Sequence, residues 1–197
     1  IMENTFAQKS LLSGTDLSIP RGCVGAFMFG TRADSNESAR IVDAALDAGL
    51  NFFDTANMYG DGASEEVLGT AIRGKRHECV IASKFGYGKT ADGGEEGTSR
   101  AAVLNAVDGT LKRLGTDYID ILYIHRPDYD TPLEETLEAL DEIFRAGRIR
   151  HFGISNFSAW RTFEILQICD ANGWARPVMS QMMYNLLMRQ IEHEYVS

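Results

Sequence analysis

No apolar run in this sequence approaches the roughly 20 residues that a membrane-spanning helix needs. Basic residues are in the minority: 19 Lys and Arg stand against 28 Asp and Glu, a net charge of −9. Nucleic acid requires a basic stripe for its phosphates, and anionic membrane surfaces attract clustered Lys and Arg. The balance argues against both as partners. Cysteine is scarce: Cys23, Cys79 and Cys169 are far apart and odd in number. A disulfide framework or a zinc knuckle needs closer, paired spacing. The three read as buried free thiols, and a reducing cytoplasm is the expected compartment. Ile1 to Ser13 lacks a basic segment followed by an apolar one, so no signal peptide is read there. No G-x-G-x-x-G follows a strand and no G-x-x-x-x-G-K-[ST] occurs. Gly60-Asp61-Gly62 lacks the third glycine, so a nucleotide would not bind through a Rossmann turn. No cluster with metal-ligand spacing is present, and no metal is expected.

What is present has a rhythm. Short apolar runs begin near Cys23, Asn51, Cys79, Ile119, Ile149 and Val178. Segments of helical periodicity separate them. Ile41, Ala45 and Ala48 share one face of the first. Leu133, Leu137, Leu140 and Phe144 share one face of the fourth, and Phe163, Leu166 and Cys169 mark the fifth. Thr131-Pro132-Leu133-Glu134 reads as a capping box with proline at the first helical position. Ser64, Glu65 and Glu66 suit a helix amino end. Strands and helices alternating at about 30-residue intervals predict βα units around a parallel sheet, and six are counted. Before them, Lys9–Leu12 and Leu17–Ile19 are split by Ser13-Gly14-Thr15-Asp16 and read as a hairpin that could plug the amino end of a barrel. Gly86 to Thr98, with five glycines, reads as either a mobile rim of the active face or a solvated linker.

Each middle strand ends in a polar group: Asp54 and then Tyr59 after the second, Lys84 after the third, His125 after the fourth. In a parallel barrel all strand carboxyl ends open on the face that holds the chemistry. An ammonium a few ångströms from a phenol favours its ionised form. Asp54 would keep Lys84 charged, Lys84 would make Tyr59 a better proton donor or acceptor, and His125 would hydrogen-bond a substrate oxygen or relay a proton. That suits reduction of a carbonyl, whose oxygen takes a proton as its carbon takes a hydride. Singly, each residue has a bland reading: an Asp cap, a satisfied His. The next strands end in Ser155-Asn156 and Ser180-Gln181. A hydroxyl and two amides on that face can read a nicotinamide carboxamide, or simply cap helices.

Phe53-Asp54-Thr55-Ala56-Asn57-Met58-Tyr59-Gly60, Ser83-Lys84-Phe85-Gly86, Ile124-His125-Arg126-Pro127-Asp128, Gly153-Ile154-Ser155-Asn156-Phe157 and Gln181-Met182-Met183-Tyr184-Asn185-Leu186 occur in the order and spacing of a known family. The chain resembles the aldo-keto reductase superfamily, from about Lys9 to its end. The His-Arg-Pro-Asp and Tyr-Asn-Leu variants are closer to its bacterial and potassium-channel-β-subunit-like branch. The resemblance implies a (β/α)8 TIM barrel with an N-terminal β-hairpin and NADPH-linked reduction of an aldehyde or ketone, a small-molecule carbonyl substrate. It implies Tyr59 as general acid, Lys84 and Asp54 as its tuning pair, and His125 as substrate orienter. It implies a cofactor set of Gly25, Ala26, Phe27, Asp54, Ser155, Asn156 and Gln181. Family members often carry Thr at position 26, where this chain has Ala26.

The whole of 1–197 reads as one barrel domain lacking its C-terminal third, since a full barrel takes about 250 residues. The expectation is a piece of a longer protein; a partner that completes the barrel is the other reading. Three functions compete: a carbonyl reductase, a nicotinamide-sensing binding subunit with slow turnover, and a lyase using Lys84 as a Schiff base. The last suffers because a carboxylate beside Lys84 opposes the neutral amine it needs. Phe27, Met28, Tyr59 and Tyr87 suggest an aromatic, partly apolar pocket mouth, or equally core packing. Met179, Met182, Met183 and Met188 read as core filler. The sequence carries no sign of oligomeric state.

Overall fold

The computed structural model describes residues 5–90 and 93–195. Strands β1 (Lys9–Leu11) and β2 (Ser18–Pro20) form the expected antiparallel hairpin. Six parallel strands follow, lying in chain order across one sheet: β3 (Val24–Gly25), β4 (Phe52–Asp54), β5 (Val80–Phe85), β6 (Ile119–Ile124), β7 (Ile149–Ser155) and β8 (Ser180–Gln181). Helices α1 (Ser35–Asp47), α2 (Ala63–Ala71), α3 (Arg100–Leu114), α4 (Leu133–Arg145) and α5 (Ala159–Asn172) connect them, and a short α6 (Ile191–Glu194) comes last. This is a curled half of a (β/α)8 barrel. Among the described residues β3 and β8 are open edges.

The two-residue period of a strand decides what lies inside. Phe53 and Ile81 pack outward with residues of α1 and α2. Phe85, Leu122, Ile124, Phe152 and Ile154 pack outward with α3, α4 and α5. The alternate residues Phe52, Val80, Ala82, Ile121 and Tyr123 fill the interior, and Leu17 of the hairpin turn joins them. The hairpin thus stops the amino end, as the sequence suggested. The next inward positions after these apolar residues are Asp54 after Phe52, Lys84 after Ala82 and His125 after Tyr123. On β7 the inward positions are Gly153 and Ser155. Met179 packs inside, and Gln181 follows it by two.

Two glycines permit close approach. A Cβ on Gly153 would stand 2.5 Å from the Tyr123 ring and 2.8 Å from the Met179 carbonyl. A Cβ on Gly69 would stand 2.5 Å from the Leu114 carbonyl, where α2 meets the end of α3. Caps are conventional at Asp34, whose carboxylate accepts from Glu37 N–H at 2.9 Å, and at Ser99.

Several expectations are corrected. The capping box at Thr131 is not made: Pro132 is the N-cap and no side chain caps α4. The Thr131 hydroxyl donates instead to Asp128 Oδ2 at 2.8 Å, a charged acceptor that also takes the Thr98 N–H. Cys79 and Cys169 are buried, but Cys23 is exposed, because the inner side of edge strand β3 is uncovered. Phe163 is exposed; α5 buries Ile165 and Cys169, a stripe rotated from the expected one. Met183 and Met188 are exposed and are not core filler. Ala91 and Asp92, within the glycine-rich loop, lie outside the described residues, as do Ile1 to Asn4, Val196 and Ser197.

Candidate active site

Lys84 is buried at the inward end of β5. An ammonium has three N–H donors, and here each has an acceptor. One goes to Asp54 Oδ1 across the neighbouring strand. One goes to the Thr55 carbonyl at 2.9 Å. The third goes to the Tyr59 hydroxyl oxygen at 3.3 Å. Because Lys84 donates to that oxygen, the Tyr59 proton is left to point elsewhere. Tyr59 comes from the turn after β4, where Gly60, Asp61 and Gly62 all take positive φ. Three left-handed residues in succession reverse the chain over the strand ends.

His125 completes the group. Its ring centroid lies 5.9 Å from that of Tyr59, edge to face. Its Nδ1 is buried and has no partner among the described residues. Burial first, then the positive charges of Lys84 and Arg126, lower its pKa from 6.5 to about 4. At neutral pH it is a neutral imidazole, able to donate one hydrogen bond to an oxygen and without charge of its own. Phe27 meets the Tyr59 ring at 4.8 Å, and Tyr87 meets the His125 ring at 5.5 Å, both edge to face. Phe27 and Tyr87 thus each set a ring against one of the two polar rings.

The amides flank this group on β7 and β8. Gln181 donates from Nε2 to Asp54 Oδ2 at 3.2 Å. Asn156 has φ +62 and donates from Nδ2 to the His125 carbonyl at 3.1 Å and to Ser155 Oγ at 3.0 Å. Asn156 spends both amide donors and Gln181 spends one within the site, and each keeps a carbonyl oxygen. A carboxamide offers an N–H₂ to such acceptors, so this acceptor pair fits a nicotinamide. On β3, Gly25 lies in register with Asp54. Ala26 donates its N–H to the Asp54 carbonyl at 2.8 Å, and its side chain packs outward with Phe53 and Leu68. Of the expected cofactor set, Gly25, Asp54, Ser155 and Gln181 face in, Phe27 edges Tyr59, Asn156 follows Ser155, and the Ala26 side chain points away. Two groups that sequence reasoning missed are Thr55, whose contribution is a backbone carbonyl, and Glu96, on the loop after β5. No side-chain pattern marks the first.

A cleft of about 720 Å³ runs beside the group, lined by Asn57, Met58, Asp61, Tyr87, Glu96 and Arg113. Tyr59 and Lys84 do not line it. Their own face is open between β3 and β8. Among the described residues no three or more His, Cys, Asp or Glu are placed to hold a metal ion. Among the same residues, no helix is long and apolar enough to cross a membrane.

Comparison with known proteins sharpens this picture. The model of the Aldo/keto reductase family matches residues 23–197. A probable voltage-gated potassium channel subunit beta of Oryza sativa is 34% identical over 190 residues, covering 94% of this chain and 58% of that protein. Aflatoxin B1 aldehyde reductase member 2 of Rattus norvegicus is 38% identical over 186 residues, covering 93% and 49%. Among solved structures, aldo-keto reductase AKR11C1 from Bacillus halodurans (holo form) superposes with a TM-score of 0.82 at 33% identity, covering 94% of this chain and 60% of that one. The chain spans about half the length of the curated relatives it matches.

Proposed function

The chain belongs to the aldo/keto reductase family, and on that premise we propose that the whole protein is an oxidoreductase reducing an aldehyde or ketone to an alcohol with NADPH. The observation that carries this is the Lys84 ammonium, satisfied by Asp54 and Thr55 and turned with its third N–H on the Tyr59 oxygen beside His125. The cofactor supplies a hydride when bound. Ser155, Asn156 and Gln181 would hold its carboxamide. Tyr59 gives its proton to the carbonyl oxygen. The phenolate left behind is stabilised by Lys84, whose charge Asp54 balances. Neutral His125 donates a hydrogen bond to the same oxygen and fixes its direction. The substrate approaches between Phe27 and Tyr87. Preference for NADPH over NADH follows the family reading alone.

The similarity to a potassium channel β subunit supports a second reading, a nicotinamide-sensing subunit with slow turnover. Steady-state NADPH oxidation with a panel of carbonyls separates the two. Turnover on some member of the panel supports the reductase. Tight NADPH binding, followed by quenching of Trp160 and Trp174, with no turnover supports the sensor. No NADPH binding, or binding abolished by a chelator, refutes both.

A further inference from the structure

The loop after β5 is held by one carboxylate. Glu96 Oε2 accepts from the N–H of Gly86 at 2.7 Å and of Gly88 at 3.0 Å. Its Oε1 accepts from Asn57 Nδ2 at 2.7 Å. The Glu96 N–H donates to the Gly88 carbonyl at 3.1 Å. Glycine is what lets the backbone close on this carboxylate: Gly86 has φ +91, and a Cβ on Gly88 would stand 3.0 Å from Glu96 Oε2. Glu96 thus ties Gly86 and Gly88 to Asn57, in the turn after β4.

Each segment that Glu96 grips carries a residue of the site. Gly86 directly follows β5 and its Lys84. Asn57 lies between Asp54 and Tyr59, and its N–H donates to the Lys84 carbonyl at 3.1 Å. Tyr87 is held between two gripped N–H groups. Its ring edges His125 and takes the Arg126 guanidinium at 4.2 Å from its centroid. Arg126 in turn pairs with Glu95 of the same loop. Hydrogen bonds to an ionised acceptor are the strong ones, and here three converge on one group from two segments.

We propose that Glu96 is a positioning residue of the carbonyl-reducing site: it sets Tyr87 against His125 and holds the turn that presents Tyr59. This rests on the roles given to Tyr59 and His125 above. Loss of the Tyr87 wall raises KM, and loss of the turn's alignment lowers kcat.

The test uses the whole protein, NADPH and an aromatic aldehyde. Glu96→Ala should lower kcat/KM by about tenfold or more, the scale of a small misplacement, with NADPH affinity retained. Asn57→Asp sets two carboxylates against each other and should lower kcat similarly. Adding Glu96→Gln to it gives the pair a donor again and leaves an acceptor for the two glycines, so the double variant should recover most of the lost kcat. If Glu96→Ala does not fold, this rescue decides. The His125 ring-proton resonances, assigned by their loss in His125→Gln, need no turnover. They should shift in Glu96→Ala as the Tyr87 ring leaves their edge. Full kcat/KM in Glu96→Ala, absence of rescue, or unmoved His125 resonances overturns the proposal. Tyr59→Phe, run alongside, judges the reading beneath it. If the wild-type protein reduces no carbonyl, that reading fails, and the His125 resonances still decide whether Glu96 places Tyr87.

Discussion

Replacing Lys84 by Met separates two things its ammonium does. Lys84 is 1% exposed and Asp54 9%. Methionine keeps most of the side-chain length and removes all three N–H donors. Among the described residues the Asp54 carboxylate then retains only the Gln181 amide, at 3.2 Å. An uncompensated buried charge costs about 3–5 kcal/mol, and the low end is expected because Asp54 stands at the open mouth of the sheet. That is a large share of the about 5–15 kcal/mol by which domains are stable. Carbonyl reduction should fall by roughly 10²–10⁴, the range for losing acid–base assistance. NADPH affinity should change much less. The two losses have different origins, so a second substitution divides them. Asp54→Asn removes the orphaned charge. The double variant Asp54→Asn/Lys84→Met should regain about 2 kcal/mol or more of the lost stability, a coupling expected of groups in direct contact, and none of the turnover. Urea midpoints at constant m report the first, and steady-state NADPH oxidation reports the second. A double variant that regains turnover, or Lys84→Met with near-normal kcat, refutes the role given to Lys84.

Much of this site was legible because strands alternate. Asp54, Lys84 and His125 each stand two residues beyond an inward apolar residue, so a run that ends in a polar side chain announces a group at the barrel mouth. The same logic found Ser155 and Gln181, and the hairpin was marked by its turn residues. The remainder depended on contacts between distant segments. Thr131 has a good capping sequence, yet Asp128 takes its hydroxyl. Phe163 fits an apolar stripe, yet α5 is rotated so that Ile165 faces the sheet. Cys23 has an ordinary core composition around it, and its exposure follows from the edge position of β3. Glu96 carries no sign in its immediate sequence beyond the glycines around it. Its meaning comes from Asn57, 39 residues away.

Tyr59→Phe keeps the ring that meets Phe27 and deletes the proton, so kcat should collapse with folding and NADPH binding preserved; undiminished kcat removes Tyr59 from the mechanism. Gly153→Ala drives a methyl into the Tyr123 ring and the Met179 carbonyl and should destabilise by about 1–3 kcal/mol, read as a lower urea midpoint; an unchanged midpoint would mean that β7 and β8 are not so closely packed on Tyr123. The last expectation concerns pH. In the folded protein His125 titrates at about 4 instead of 6.5, because burial and then Lys84 and Arg126 disfavour its cation. As pH falls, the unfolded chain therefore takes up this proton first. The stability it contributes is complete above about 6.5 and is lost as pH falls through the folded value of about 4. The whole loss is at most roughly 3.5 kcal/mol. His125→Gln should flatten that part of the stability–pH curve. The same shift keeps the imidazole neutral through the pH range in which a neutral hydrogen-bond donor is required, so reduction should not decline near pH 6.5 on account of His125. Its ring-proton resonances in the native protein decide the matter: a midpoint near 6.5 would show a solvated imidazole and remove the neutral donor from the mechanism.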